Sequence, residues 1–163
     1  MEEDKIFSRE KLRSEIDRLK VAGKKIVFTN GCFDILHVGH VRYLGKAKKL
    51  GDVLIVAVNS DSSVRKIKGE KRPLVPEGER AEILASLAAV DYVILFQEET
   101  PLTLIESLQP DVLVKGGDWD AEKVVGRESV QKWGGSVKII PEVKGASTTN
   151  IVAKIIKVYS LKD

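Results

Sequence analysis

Lys25-Ile26-Val27-Phe28-Thr29-Asn30-Gly31-Cys32-Phe33-Asp34-Ile35-Leu36-His37-Val38-Gly39-His40 is the stretch on which the reading of this chain turns. Lys25 to Thr29 is a short β-rich run and predicts a first strand. The loop from Asn30 leads into a helix predicted from about Val38 to Leu50, which Gly51 closes. His37 and His40, three residues apart, share one helical face near its start. Free backbone N–H groups and the positive end of the macrodipole already attract anions there. A phosphate site is the first functional expectation.

Working outward, Ser8 predicts the cap of a helix in which Leu12, Ile16 and Leu19 recur at helical spacing up to about Gly23. On the other side, Asp52 to Val58 is apolar almost throughout, as a strand covered on both faces should be. After Asn59-Ser60-Asp61 a short helical turn leads to the basic segment Arg65 to Pro73. A helix from Pro76 to about Ala88 is expected to turn Ile83, Leu84 and Leu87 inward. Asp91 to Phe96 is a third strand. Thr100 reads as a cap before Pro101 at the first turn of a helix to about Leu108. Asp111 to Val114 is a fourth strand, a helix is predicted between Ala121 and Trp133, and Ser136 to Ile140 is a fifth strand stopped by Pro141. A last helix runs from Asn150 to about Ser160, with Ile151, Ile155 and Val158 as core.

Strands separated by helices predict a single α/β domain over residues 1–163, with a Rossmann-like, doubly wound, five-stranded parallel sheet and right-handed crossovers; 3-2-1-4-5 is the strand order expected of it. In such sheets ligands sit beyond the carboxyl ends of the strands where the order reverses, here between the first and fourth strands. The loops meeting there are Gly31 to His40 and Lys115 to Trp119, with Ser147 to Thr149 near enough to close over the same ligand.

Composition limits what that ligand is. Lys and Arg number 27 against 24 acids, a net charge of +3, and only 6% of residues are aromatic. That balance suits small anionic ligands and argues against nucleic acid, which wants a basic stripe with stacking aromatics. The longest apolar run, Val53 to Val58, is far too short to span a bilayer. Cys32 is the only cysteine, so no intrachain disulfide forms, and the acidic start Met1 to Lys5 is not a secretory signal. A cytoplasmic setting is expected.

The pattern Gly-x-Phe-Asp-x-x-His-x-Gly-His over residues 31–40 resembles the signature of the cytidylyltransferase-like nucleotidyltransferases. With Lys68-Gly69, Arg72-Pro73, Val114-Lys115-Gly116-Gly117-Asp118 and Ser147-Thr148-Thr149-Asn150, the chain is similar to one branch from Phe7 onward. That branch transfers AMP from ATP to D-glycero-D-manno-heptose 1-phosphate, giving ADP-heptose for lipopolysaccharide and pyrophosphate. Its members are often fused to a sugar kinase, and relatives are often homodimers. The resemblance implies that an acceptor phosphate oxygen attacks the α-phosphorus of ATP in line, with Mg²⁺ held mainly by the nucleotide phosphates and water. It implies catalytic roles for His37, His40 and Lys68, with Lys66 and Lys71 competing for the last. Nucleotide contacts are implied for Thr29, Asn30, Gly31, Phe33, Gly39, Lys115, Gly116, Gly117, Asp118, Ser147, Thr148 and Thr149, besides the two histidines. Asp34, Lys68 and Arg72 fall to the acceptor, with Asp34 also a candidate for Mg²⁺.

Plainer readings stand beside these. A single histidine at this place would cap the helix or sit in the core; the pair, after Gly-x-Phe-Asp and a strand, points to function. Cys32 reads as a small packed spacer, Trp119 as core, Lys66 to Arg72 as a solvated loop, and Ser147 to Thr149 as a cap. One departure from the family is an arginine missing before Ser147, where the chain has Lys144-Gly145-Ala146; either Lys144, or another cation such as Arg80 or Arg127, replaces its charge, or affinity for the triphosphate is lower. Rival functions are cytidylyl transfer to glycerol 3-phosphate or a similar acceptor, and a non-catalytic nucleotide-binding module.

Overall fold

Strand side chains alternate between the two faces of a sheet, and in this chain both faces are apolar, so both must be covered. The computed structural model describes residues 2–117 and 120–160. Its strands are β1 (Ile26–Gly31), β2 (Val53–Asn59), β3 (Tyr92–Phe96), β4 (Val112–Gly116) and β5 (Ser136–Ile140). All neighbours pair in parallel, in the order β3-β2-β1-β4-β5. The helices are α1 (Arg9–Val21), α2 (Val38–Lys48), α3 (Asp61–Lys68), α4 (Glu77–Ala85), α5 (Leu102–Leu108), α6 (Arg127–Lys132) and α7 (Thr148–Tyr159). Five parallel strands wound in both directions from β1 are the Rossmann-like sheet the sequence predicts.

Ile26, Phe28 and Leu113 face α1, α5 and α6 through Leu12, Ile16, Leu104, Ile105, Leu108 and Val130. Val27, Val112 and Val114 face α2 and α4 through Leu44, Ala47, Ala81, Leu84 and Ala85. All seven residues of β2 are buried, which is why its sequence shows no alternation. The order reverses between β1 and β4, where Thr29 is level with Val114.

Some local expectations are displaced. The turn after Ser60 is a complete helix, α3, because the Ser60 hydroxyl accepts from the Ser63 N–H; Lys66 and Lys68 therefore ride on its last turn. Pro101, not Thr100, occupies the cap position of α5. Ile83 is exposed while Arg80, Ala81, Leu84 and Ala85 form the inner face of α4. The helix expected between Ala121 and Trp133 is a 3-10 turn over Ala121–Lys123 and then α6, divided at Gly126 with φ +89°. The last helix starts two residues early, at Thr148, and Ile155 and Val158 are exposed rather than core. It follows the edge strand β5, and its first turn docks at the carboxyl end of the sheet, where Thr148 Oγ1 donates to the Ile35 carbonyl at 3.4 Å.

Candidate active site

The loop leaving β1 is held in a conformation that few residues adopt. Phe33 has φ +47°, an outlier for a bulky side chain that persists only where the surroundings enforce it. They do so from two sides. A Cβ on Gly31 would lie 3.0 Å from the Phe33 ring, so only glycine lets the ring fold back over the loop. Asp34, 3% exposed, accepts from the N–H groups of Leu74 and Val75 at 2.8 and 2.9 Å and from Arg72 Nε. These donors outweigh the effect of burial and hold the Asp34 carboxyl below the usual carboxylate range. Both carboxylate oxygens thus accept from the chain itself, which fixes Asp34 at the cavity wall, with lone-pair capacity left on Oδ2.

Arg80 completes the frame from beneath. Its guanidinium, 1% exposed, donates to the carbonyls of Cys32, Asn59 and Val75 at 2.5, 2.8 and 2.9 Å and to Asp61 Oδ1 at 2.8 Å. It ties the ends of β1 and β2 to the starts of α3 and α4. With that geometry it cannot supply charge to a ligand, and a buried arginine looks like any other charge in sequence.

Above this frame two helix N-termini meet. His37 is the N-cap of α2: its Nδ1 accepts from the Gly39 N–H at 3.1 Å. His40 stacks on it with ring centroids 3.8 Å apart, and Phe33 meets His40 edge-on at 5.2 Å. A Cβ on Gly39 would lie 2.8 Å from the His37 ring and 3.2 Å from Ala146, at the start of α7. Glycine is therefore what allows α2 and α7 to approach. Ser147 caps α7 by accepting from the Asn150 N–H at 3.0 Å. Capping and ligand binding use the same helix start, and paired N-termini are a natural seat for phosphate oxygens.

Burial pushes His40 down to about 4, with the neighbouring His37 adding to the effect; His37 is lowered by burial while Glu142 opposes that shift. Both imidazoles are neutral at pH 7. The buried Nδ1 of His40 has no partner among the described residues, which is costly unless a ligand completes it.

These groups line a cavity of about 700 Å³ at the carboxyl edge of the sheet. Asn30, Gly31, Phe33, Asp34, His37, Gly39, His40, Gly116, Ser147, Thr148 and Thr149 reach it, and so do Lys68, Arg72 and Lys115 on the other side. Thr29 does not: it is fully buried, and its hydroxyl is bonded to Tyr43 at 2.6 Å. Nor does Gly117, whose N–H donates to Ile140. Asp118 and Trp119 lie outside the described residues. Lys144 is exposed and does not line the cavity, and Arg127 is at 3.7 Å from Glu122 and does not line it either. Among the described residues the cavity's cations are Lys68, Arg72 and Lys115. Sequence reasoning passed over Tyr43, Glu142, Pro101, Val124 and Val125, which also line it; nothing in their local pattern marks them.

Comparison with known proteins agrees with this construction. The chain is 59% identical over 95% of its length to the bifunctional protein HldE of Geobacter metallireducens, and 55% identical over 92% to that of Koribacter versatilis. It spans about a third of those relatives, 32% and 31% of their lengths. A lipopolysaccharide core biosynthesis protein from Thermoplasma volcanium superposes with a TM-score of 0.63 at 35% identity, covering 76% of this chain and 100% of that one. A pantoate-beta-alanine ligase from Francisella tularensis, 18% identical, superposes with a TM-score of 0.61 over 97% of this chain and 80% of its own, and so shares the fold. The model of the cytidylyltransferase-like family matches residues 28–155. The chain belongs to the cytidylyltransferase-like family of nucleotidyltransferases.

Proposed function

We propose that the chain transfers AMP from ATP to a sugar 1-phosphate, D-glycero-D-manno-heptose 1-phosphate, giving ADP-heptose and pyrophosphate. The observation that carries this reading is one cavity in which the N-termini of α2 and α7, with His37 and His40, face Lys68 and Arg72. A triphosphate placed on the helix starts has its α-phosphorus turned toward the cationic side. An oxygen of the acceptor phosphate then forms a bond to that phosphorus as the bond to the bridging oxygen of pyrophosphate breaks.

Such a transfer needs positioning and charge neutralisation rather than a protein nucleophile. Neutral His37 and His40 donate hydrogen bonds to phosphate oxygens as charge grows on them. Lys68, on the last turn of α3, is the cation that reaches between donor and acceptor. Arg72 gives its Nε to Asp34, which sets its two terminal nitrogens toward the acceptor phosphate as a fixed fork. No group of three or more His, Cys, Asp or Glu suited to a metal occurs among the described residues. Mg²⁺ would therefore enter with the nucleotide, held by phosphates and water, and neutralise their charge.

The heptose acceptor and its place in lipopolysaccharide synthesis rest on the signature and on the Thermoplasma volcanium relative. Such an enzyme works where ATP is available, in the cytoplasm, and its family suggests a homodimer that sedimentation would detect. The test of function is pyrophosphate release. The chain with ATP, Mg²⁺ and heptose 1-phosphate should turn over, and a panel pairing CTP with glycerol 3-phosphate should not. Saturable ATP binding without turnover on any acceptor would replace the proposal with a non-catalytic nucleotide-binding role.

A further inference from the structure

The sheet separates two of the residues that the sequence groups together. Lys115 and Gly116 are neighbours on β4, so their Cβ directions alternate. Gly116 faces the Tyr43 ring, where a Cβ would be 3.2 Å away, on the α2 side. Lys115 follows the parity of Leu113, on the α1 and α5 side. Asn30 follows the parity of Phe28 onto that same side, and Lys115 Nζ donates to Asn30 Oδ1 at 2.5 Å. The histidines and the two helix starts are on the opposite side of β1.

The surroundings of this pair differ in kind from the phosphate seat. Pro101, Val124 and Val125 line the same cavity, from the start of α5 and the segment before α6, on the Lys115 side of the sheet. Cys32 lines it too, two residues beyond Asn30. An amide and an ammonium bonded to each other under apolar walls match a polyol, whose hydroxyls both donate and accept and whose C–H faces are apolar.

We propose that Lys115 and Asn30 form the sugar subsite, reading hydroxyl groups of the acceptor, and that Lys115 is a specificity-determining residue rather than a nucleotide contact. This rests on the adenylyl-transfer reading for the identity of the ligand, not for the place of the subsite. Burial brings the Lys115 ammonium down to about 8, so it is a weaker phosphate clamp than Arg72 but a hydrogen-bond donor in either protonation state. The bond to Asn30 uses one of its three donors when charged.

Cys32, the sole cysteine, is half-buried beside the pair and serves as a reporter. In the full chain, heptose 1-phosphate should slow N-ethylmaleimide modification of Cys32, followed by intact mass, whereas ATP or inorganic phosphate alone should do so far less. In Lys115→Met the heptose 1-phosphate needed for protection should rise about tenfold or more, the cost of unpairing a site built for hydroxyls. Protection by inorganic phosphate should not change. In pyrophosphate release the same variant should raise the acceptor KM by about tenfold and leave the ATP KM within about twofold. Asn30→Ala, which removes the partner of Lys115 without touching the ammonium, should shift the acceptor KM in the same direction and covers the case of a misfolded Met variant.

Unchanged protection by heptose 1-phosphate in both variants, or a raised ATP KM with the acceptor KM unmoved, overturns the subsite. Cys32 protection by heptose 1-phosphate that depends on Lys115, in a chain that releases no pyrophosphate, would uphold the subsite and sink the adenylyl-transfer reading instead.

Discussion

The two walls of the cavity are built by different means. The wall of His37, Gly39 and His40 comes from four consecutive residues and is completed by the start of α7, brought in where Ala146 meets Gly39. The facing wall draws Asn30 from β1, Lys68 from α3, Arg72 from the loop after it, and Lys115 from β4. Its members are held by long-range bonds: Arg72 to Asp34 and Lys115 to Asn30. A wall made by one helix start reads phosphate, which any nucleotide carries. A wall made from four separate segments can be altered piece by piece, and the proposed sugar subsite assigns acceptor identity to it.

If that contrast is right, the largest effect comes from the local wall. His40→Ala should lower kcat/KM for pyrophosphate release by about 10²–10³-fold, the scale of losing one preorganised charge-stabilising donor. Its melting temperature should stay within about 2 °C, because losing the ring contacts with His37 and Phe33 is offset by removing a buried Nδ1 that has no partner among the described residues. Retained activity would remove His40 from the reaction. Gly39→Ala is next: the new Cβ, 2.8 Å from the His37 ring, must displace that ring or α7, and about 10²-fold in kcat/KM is expected from a misplacement of an ångström. Equal turnover would show that the close approach of the two helix starts is dispensable.

The facing wall is probed through its anchor. Asp34→Asn keeps an oxygen for the Leu74 and Val75 N–H groups but turns an amide toward Arg72. It should cost about 2–3 kcal/mol in urea unfolding and raise the acceptor KM more than the ATP KM. A change in the ATP KM alone would contradict the division of labour. The smallest effect is one of pH. Folding holds His40 at about 4, below the ordinary 6.5, so between those values the unfolded chain binds more protons. Stability should fall as pH drops through 6.5 toward 4 and level off below, with His37 adding in the same direction. His40→Gln should flatten that slope in urea midpoints taken at pH 7 and pH 5; an unaltered slope would place the buried proton acceptor elsewhere.

The local wall was readable because its chemistry is contiguous: a strand, a glycine-bearing loop, and two histidines at helical spacing. Ser147 to Thr149 was readable as a cap, and capping and anion binding use the same N–H groups. The structural bonds of Asp34 were not readable, because a carboxylate in a loop looks the same in sequence whether or not two backbone N–H groups and an arginine hold it. Thr29 was misplaced by register: one step along β1 turns a side chain from the cavity to Tyr43. The stripe of α7 has helical period, but period says which residues share a face and not whether anything covers it.

By itself the sequence determined the alternation of strands and helices and the phosphate-seeking helix start, since each follows from short-range pattern. Tertiary structure alone decided which side of the sheet Lys115 and Asn30 share, that Arg80 is a buried tie, and that Asp34 binds Arg72 and the Leu74 and Val75 N–H groups. Those depend on strand parity and on partners tens of residues away, and a side chain's chemistry does not announce which of its possible partners it will meet.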